Sequence, residues 1–419
     1  MGLFIVLAVT ELLTLAVIRQ YLYERSWLSY YFVITIHVAL SLWIWILWFK
    51  TVSFRGMPDD PAYEWSVMNL RGMLMTVVVP RILIIAGHYT GKWIFRASGT
   101  RPPKPAIIAI VLASIIFVVL SSGALIGRFN FRTESHVIRI KGLDPGLEGF
   151  RIVHISDLHL PCFYHHHERL AEVMQAINEL EPDLIVNTGD FINLGWREFD
   201  SFDTILSKAK ARYGQYAVMG NHDFGTYHPT YTDAERENNV RLMKRFIEAS
   251  GYKVLNDEFE MLNTGSSSIA LIGVTTSGSF PDIVHGDLEK ASERIYGEDL
   301  KILLAHDPNQ WDRDVAGKTD ISLTLSGHTH GMQVGIYTKL FKWSPAKYFY
   351  PRWNGVHELN GQYLVVNRGL GAVSYTHLRA HETVLDLVCR LLLEKKNNTT
   401  IYHIHHHTTS FPHLSHPPH

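Results

Sequence analysis

Cysteine is nearly absent from this chain: among 419 residues there are two, Cys162 and Cys389, far apart and outside any CxxC spacing. That excludes a disulfide framework and a thiolate zinc site as organising features. Charge of one sign is also missing. The formal net charge is −1, and neither half carries the lysine/arginine stripe that phosphate contacts to nucleic acid require, so nucleic acid is excluded as a partner. No lysine or arginine precedes Arg19. The apolar N-terminal run therefore lacks the basic region of a cleaved signal peptide and reads as a retained anchor. Finally, long stretches lack charge altogether, from Trp27 to Phe49 and from Ala106 to Gly127.

Those two runs are long enough to cross roughly 30 Å of hydrocarbon at about 1.5 Å per residue. Tyr30, Tyr31, Trp43, Trp45 and Trp48 in the first include residues suited to headgroup belts. Leu3 to Ile18, with Glu11 as its only charge, and Gly72 to Tyr89, carrying Pro80 and Arg81, complete four expected spans. Arg81 is expected to face a helix partner, with Glu11 as the candidate. Four spans put both ends of this unit on one side. Loop one holds Arg19 and Arg25, and loop three holds Lys92, Arg96, Arg101 and Lys104. Loop two balances Lys50, Arg55 and Arg71 with Asp59, Asp60 and Glu64. The positive-inside bias makes loops one and three cytoplasmic and everything after residue 130 extracytoplasmic; Arg128, Arg132, Arg139 and Lys141 pull the other way.

Residues 1–130 are thus expected to form a four-helix membrane anchor. After residue 135 the pattern becomes that of an α/β domain. Strands are expected at Ile152–Ile155, Leu184–Val186, Tyr216–Met219, Ile269–Val274, Ile302–Leu304, Ser322–Leu325 and Tyr363–Val366. Helices are expected at Glu168–Leu180, Glu235–Ala249 and Ser201–Arg212. Five of the strand ends carry metal-binding residue types: Asp157 and His159 in SDLH, Asp190 in TGD, Asn221 and His222 in GNHD, His306 in AHDP, and His328 and His330 in SGHTHG. A lone strand-end Asp is usually a helix cap and a lone His usually packing. Their joint occurrence at strand ends, where a rigid element holds a ligand and the loop stays open, points to a metal centre. Gly189, Gly220, Gly327 and Gly331 flank these residues, where tight turns exclude a Cβ. His165, His166 and His167 read as a solvated loop at a helix start rather than a substrate mouth.

The blocks DxH, GD, GNHD, H and GHTH occur in the order found in the calcineurin-like metallophosphoesterases, and residues 135–373 resemble in particular their membrane-anchored bacterial branch of YaeI/YkuE-like phosphodiesterases. The resemblance implies a two-sheet β-sandwich flanked by helices. It also implies two metals, with Asp157, His159 and His330 as ligands of the first, Asn221, His306 and His328 of the second, and Asp190 as a bridge. His222, with Asp223 beside it, is the general acid by the same resemblance. Two cations about 3.5–4 Å apart need an anionic bridge, a second bridge being hydroxide, and together they would neutralise phosphoryl oxygens. Imidazole, carboxylate and carboxamide donors favour manganese, iron or zinc over calcium.

The expected activity is hydrolysis of a phosphoester, diester-like, in a lipid-linked or membrane-proximal phosphorylated substrate. A pyrophosphatase of lipid A synthesis acting on a UDP-diacylglucosamine-type substrate requires a cytoplasmic domain, and a catalytically silent membrane sensor requires gaps in the ligand set. Gln362 to Gly371 still fits the family. Beyond Val373 the chain runs SYTHLRAHETVLDLVCRLLLEKK and then a His-, Thr- and Pro-rich tract. This resembles translated adapter or read-through sequence, so residues 374–419 are expected to stand outside the domain, artefactual or disordered.

Overall fold

The charge-free stretches fold as helices, since a backbone without water to bond must satisfy its N–H and C=O groups within the segment. In the computed structural model, which describes residues 2–23, 26–98, 105–125, 127–276, 286–333, 336–337, 342–371, 385–396 and 407–410, the chain divides into two units. The first comprises Met1–Arg55 and Ser66–Arg128, the second Gly56–Trp65, Phe129–Val373 and the chain from Glu382 onward.

Among the described residues the first unit is helical: α1 (Gly2–Leu22), α2 (Trp27–Ser53), α3 (Pro61–Ser98) and α4 (Pro105–Leu125). Three helices are long and apolar enough to cross a membrane, over Phe4–Leu22, Trp27–Ser53 and Pro61–Ala97, and α4 contributes a shorter apolar helix, Ile108–Ala124. The helix α3 runs through Pro80 without ending. Arg81 is buried; its guanidinium donates to Ser41 Oγ of α2 at 2.6 Å, and the charge of the expected partner Glu11 reaches it without a direct hydrogen bond among the described residues. Glu11 instead accepts from Trp45 Nε1 at 3.1 Å and lies 3.9 Å from His37 Nε2.

The second unit is an α/β domain with two mixed sheets. One holds β1 (Phe131–Ile140), β2 (Arg151–Ile155), β3 (Leu184–Asn187), β4 (Gln215–Ala217), β5 (Tyr252–Val254), β14 (Leu385–Lys395) and β15 (His407–Ser410) in the order β15-β1-β14-β2-β3-β4-β5. The other holds β6 (Glu258–Asn263), β7 (Ser268–Gly273), β8 (Leu300–Leu304), β9 (Leu323–Ser326), β12 (Gly355–Leu359) and β13 (Gln362–Val366) in the order β12-β13-β9-β8-β7-β6. A small hairpin pairs β10 (Ile336–Tyr337) with β11 (Lys342–Trp343). The helices are α5 (His167–Glu179), α6 (Asp203–Leu206), α7 (Asp233–Ala249) and α8 (Leu288–Ser292).

Side-chain alternation places the core. Ile269 and Leu271 of β7 join Ile152, Leu184, Ile302, Leu304, Leu325 and Val365 in one apolar cluster drawn from both sheets. Ala270 and Ile272, one residue out of phase, join Trp311, Val315 and Ile295 on the opposite face. The strands β2, β3 and β4 run parallel, as do β7, β8, β9 and β13. Their C-terminal ends therefore open at one edge of each sheet, where the loops that carry the site begin.

Two expectations are corrected. The helix expected over Ser201–Arg212 is only α6, Asp203–Leu206. The Asn178 side chain bonds Lys208 O at 2.9 Å and Lys210 N at 2.8 Å, taking backbone groups that a continuing helix needs. The segment beyond Val373 does not stand wholly outside the domain: Leu385–Lys395 forms β14, parallel to β1 and antiparallel to β2. Val388, Cys389, Leu391 and Leu393 are buried there, because this run is apolar enough to fill a gap between two strands. Ending the chain at Val373 is therefore expected to lower the melting temperature by roughly 5 °C or more. Thermal unfolding of the two lengths checks this; an unchanged midpoint would return the segment to the status of an appendage.

Candidate metal centre

The site grows from loops that leave the strands in an unusual backbone conformation. Asp157, His159, Asp190, His328 and His330 all have left-handed φ, between 41° and 72°. Such strain costs on the order of 1 kcal/mol per residue and persists only where neighbours impose it. Here the neighbours are adjoining loops: Asp157 N donates to Gly189 O at 2.8 Å and His159 N to Asp190 O at 3.1 Å. At Gly189, with φ of 100°, a Cβ would collide with the Gly220 backbone, so the loops after β3 and β4 approach as only glycine permits.

This backbone brings six of the expected ligands together. Asp157, His159, Asp190 and His330 place ligand atoms within 4.8 Å of one another, and so do Asp190, His306 and His328. Asp190 belongs to both groups. Its Oδ2 lies 3.1 Å from His306 Nε2 and 3.9 Å from His159 Nε2. His330 Nε2 lies 3.2 Å from Asp157 Oδ1 and 3.0 Å from His159 Nε2, and His328 Nδ1 lies 3.1 Å from His306 Nε2. The seventh, Asn221, gives its amide N–H to Tyr227 Oη at 3.0 Å, while its Oδ1 is buried without a partner among the described residues.

Three of the four inner imidazoles are oriented by their other nitrogen. His159 Nδ1–H donates to Asn193 Oδ1 at 2.6 Å and His306 Nδ1–H to the Thr188 carbonyl at 2.7 Å, which turns both Nε2 atoms inward. His328 Nε2 meets the Tyr350 hydroxyl at 2.7 Å, which turns its Nδ1 inward. Burial pushes the Asp157 carboxyl up, but His330 outweighs it and holds the group below the ordinary carboxylate range. Burial likewise works against ionising Asp190, and His306 and His222 overcome it. Burial lowers His306 but Asp190 raises it further, to about 10. Two ionised carboxylates among convergent nitrogen donors, with a buried acceptor oxygen left over, form a donor set suited to divalent cations.

His222 stands at the edge of this cluster. Its Nδ1–H donates to the Asn193 carbonyl at 2.7 Å, and its ring meets His159 edge-on at 5.1 Å between centroids. Asp223 does not share that position. Its carboxylate accepts backbone N–H groups from Asp190 at 2.9 Å, Phe191 at 2.8 Å, Ile192 at 3.3 Å and Gly220 at 2.8 Å. Burial and the Asp190 charge raise its pKa to about 7 against the N–H groups that favour its charged form. Adjacency to His222 in sequence says nothing of direction in a turn, and Asp223 ties the loop after β3 to the loop after β4. The histidine run lies at a helix start as expected: His165 is exposed with its ring edge on Trp65 at 4.6 Å, and half-buried His167 opens α5 with its ring on Phe202 at 4.6 Å. Asn193, Tyr227 and Tyr350 line the site although no motif contains them. Asn193 has a signal in lying three residues after Asp190, whereas nothing local marks Tyr350.

Residues 150–332 match the calcineurin-like phosphoesterase family. An uncharacterized metallophosphoesterase of Bacillus subtilis, YkuE, is 32% identical over 249 residues, which cover 57% of this chain and 78% of the relative. A transmembrane protein with metallophosphoesterase domain from Danio rerio is 33% identical, over 54% of this chain and 50% of its own length. An uncharacterized metallophosphoesterase of Aquifex aeolicus is 26% identical, over 61% of this chain and 90% of its own.

Proposed function

This chain belongs to the calcineurin-like metallophosphoesterase family and is a metal-dependent phosphoesterase; from that premise we propose that it uses two divalent cations to hydrolyse a phosphoester in a lipid-linked or membrane-proximal substrate. Asp157, His159 and His330 hold one cation, Asn221, His306 and His328 the other, and Asp190 is shared. The observation that carries this reading is the membership of Asp190 in both donor groups. A carboxylate can give one oxygen to each of two cations and offset their repulsion. When bound, such a pair activates water and neutralises phosphoryl oxygens. His222 has Nδ1–H committed to the Asn193 carbonyl, and in its imidazolium form it carries a second proton, on Nε2, to give to the departing oxygen. Manganese, iron and zinc all suit these donors.

The substrate assignment is supported by Tyr348 and Phe349, 70% and 65% exposed, next to Tyr350 whose hydroxyl meets His328. Aromatic side chains left in water beside a metal centre suit a substrate with an acyl chain. Manganese titration of the purified protein should reach two ions per chain. Hydrolysis of bis-p-nitrophenyl phosphate, phospholipids and nucleotide-sugars by that protein then ranks substrates, and saturation at one ion would sink the two-cation scheme.

Chain connectivity supports four spans. Gly56–Trp65, between α2 and the body of α3, folds within the same unit as Phe129–Val373. A chain that leaves that unit along α3 and returns from α4 crosses an even number of times, so α4 crosses as α3 does. With loops one and three cytoplasmic, the phosphoesterase domain lies outside. Alkaline phosphatase fused after residue 135 should therefore be active, and a fluorescent protein fused there dark. The reverse result would move the domain to the cytoplasm and favour the nucleotide-lipid pyrophosphatase.

A further inference from the structure

The segment leading from α2 into α3 contributes more than a connection. Asp60 Oδ1 accepts from Tyr63 N at 2.9 Å and Pro61 occupies the first helical position, the arrangement that starts a helix. Asp59, fully buried, accepts from Arg197 Nη1 at 3.0 Å and from the Tyr231 hydroxyl at 2.8 Å, and lies 3.5 Å from His228 Nε2. Gly195 makes room for it, since a Cβ there would collide with Asp59 and with the Tyr231 hydroxyl. Trp65 packs on His165. This anchorage delivers Glu64, itself buried, to Asn193: Asn193 Nδ2 donates to Glu64 Oε1 at 3.1 Å.

Asn193 is already tied at every other group. Its backbone N–H donates to Glu198 Oε2 at 2.5 Å, its carbonyl accepts from His222 Nδ1, and its Oδ1 accepts from His159 Nδ1. An amide can be turned over to exchange its oxygen and nitrogen. Turned over, it would present N–H to His159 Nδ1, force the ring proton onto Nε2 and take away the lone pair a cation needs. A carboxylate only accepts, so Glu64 admits the NH2 end of Asn193 and no other.

We infer that Glu64, at the membrane-helix start where α2 hands over to α3, is a positioning residue of the metal centre: through Asn193 it sets the ring tautomer of His159 and holds the carbonyl that orients His222. The inference rests on His159 being a ligand, as proposed above. It makes the enzyme's metal affinity depend on a segment 129 positions away in sequence from Asn193.

Manganese binding to the full-length protein in detergent, followed by titration calorimetry alongside bis-p-nitrophenyl phosphate turnover, tests it. Glu64→Ala should weaken manganese binding about 10- to 100-fold, the usual effect of losing a group behind a ligand. Glu64→Gln, whose side-chain oxygen still accepts from Asn193, should restore most of it. Asn193→Asp adds a third carboxylate beside Glu64 and Glu198 and should weaken binding, and adding Glu64→Gln should recover it, a reversal that general loss of stability cannot produce. Wild-type affinity in Glu64→Ala, or no recovery in the double variant, overturns the inference. His159→Ala separates the two layers: if it keeps full manganese affinity the ligand assignment itself fails, whereas loss there with no effect at Glu64 removes only the relay.

Discussion

Replacing His222 by alanine is expected to leave both cations bound and to slow turnover by roughly 10²- to 10⁴-fold, the range for one general acid. The geometry separates the two effects. His222 Nδ1–H is spent on the Asn193 carbonyl, and among the described residues His222 belongs to neither group of convergent ligand atoms. Its backbone N–H donates to Asp190 Oδ1 at 3.0 Å, a bond that alanine keeps. The loss should also depend on the leaving group. A p-nitrophenolate departs with little need of a proton, while an alkyl alkoxide must be protonated, so the variant should be more damaged on alkyl than on aryl esters. Metal analysis together with rates on the two ester types checks this. Loss of metal, or equal damage on both esters, would remove His222 from the role.

Asp190→Asn is expected to fail differently, losing metal and activity together. The substitution keeps shape and changes charge. Asp190 Oδ2 lies 3.1 Å from His306 and 3.9 Å from His159, one from each donor group, and the neighbouring imidazoles hold the carboxyl ionised despite its burial. An amide gives one neutral oxygen and one NH2 group, which cannot offset two cations within about 4 Å of each other. Metal content should drop below two per chain, with activity falling in proportion at limiting manganese. An Asp190→Asn protein that kept two ions and only slowed would place the shared carboxylate in the chemistry instead of the binding.

By itself the sequence determined the parts whose causes are local. Long apolar runs, two of them free of charge, dictate helices because the backbone has only itself to bond with, and they appear as α1, α2, α3 and α4. Short apolar runs dictate β2, β3, β8, β9 and β13, and the residue types at their ends were enough to choose the six carboxylates and imidazoles that the loops bring together. What was not legible is what depends on neighbours remote in the chain. β1, with Arg132, Glu134 and Arg139 interleaved among buried positions, is a strand only because β14 and β15 pair with it. β14 is a strand because it pairs between β1 and β2, neither of which is near it in the chain. Asp223, adjacent to His222, turns away to four backbone N–H groups because the loop after β3 must be tied down. Asn193 and Glu64, 129 positions apart, meet because Asp59 is held by Arg197 and Tyr231. Donor types are chosen residue by residue, but the direction of each donor, and the tautomer of each imidazole, is decided by hydrogen-bond partners that only the folded chain assembles.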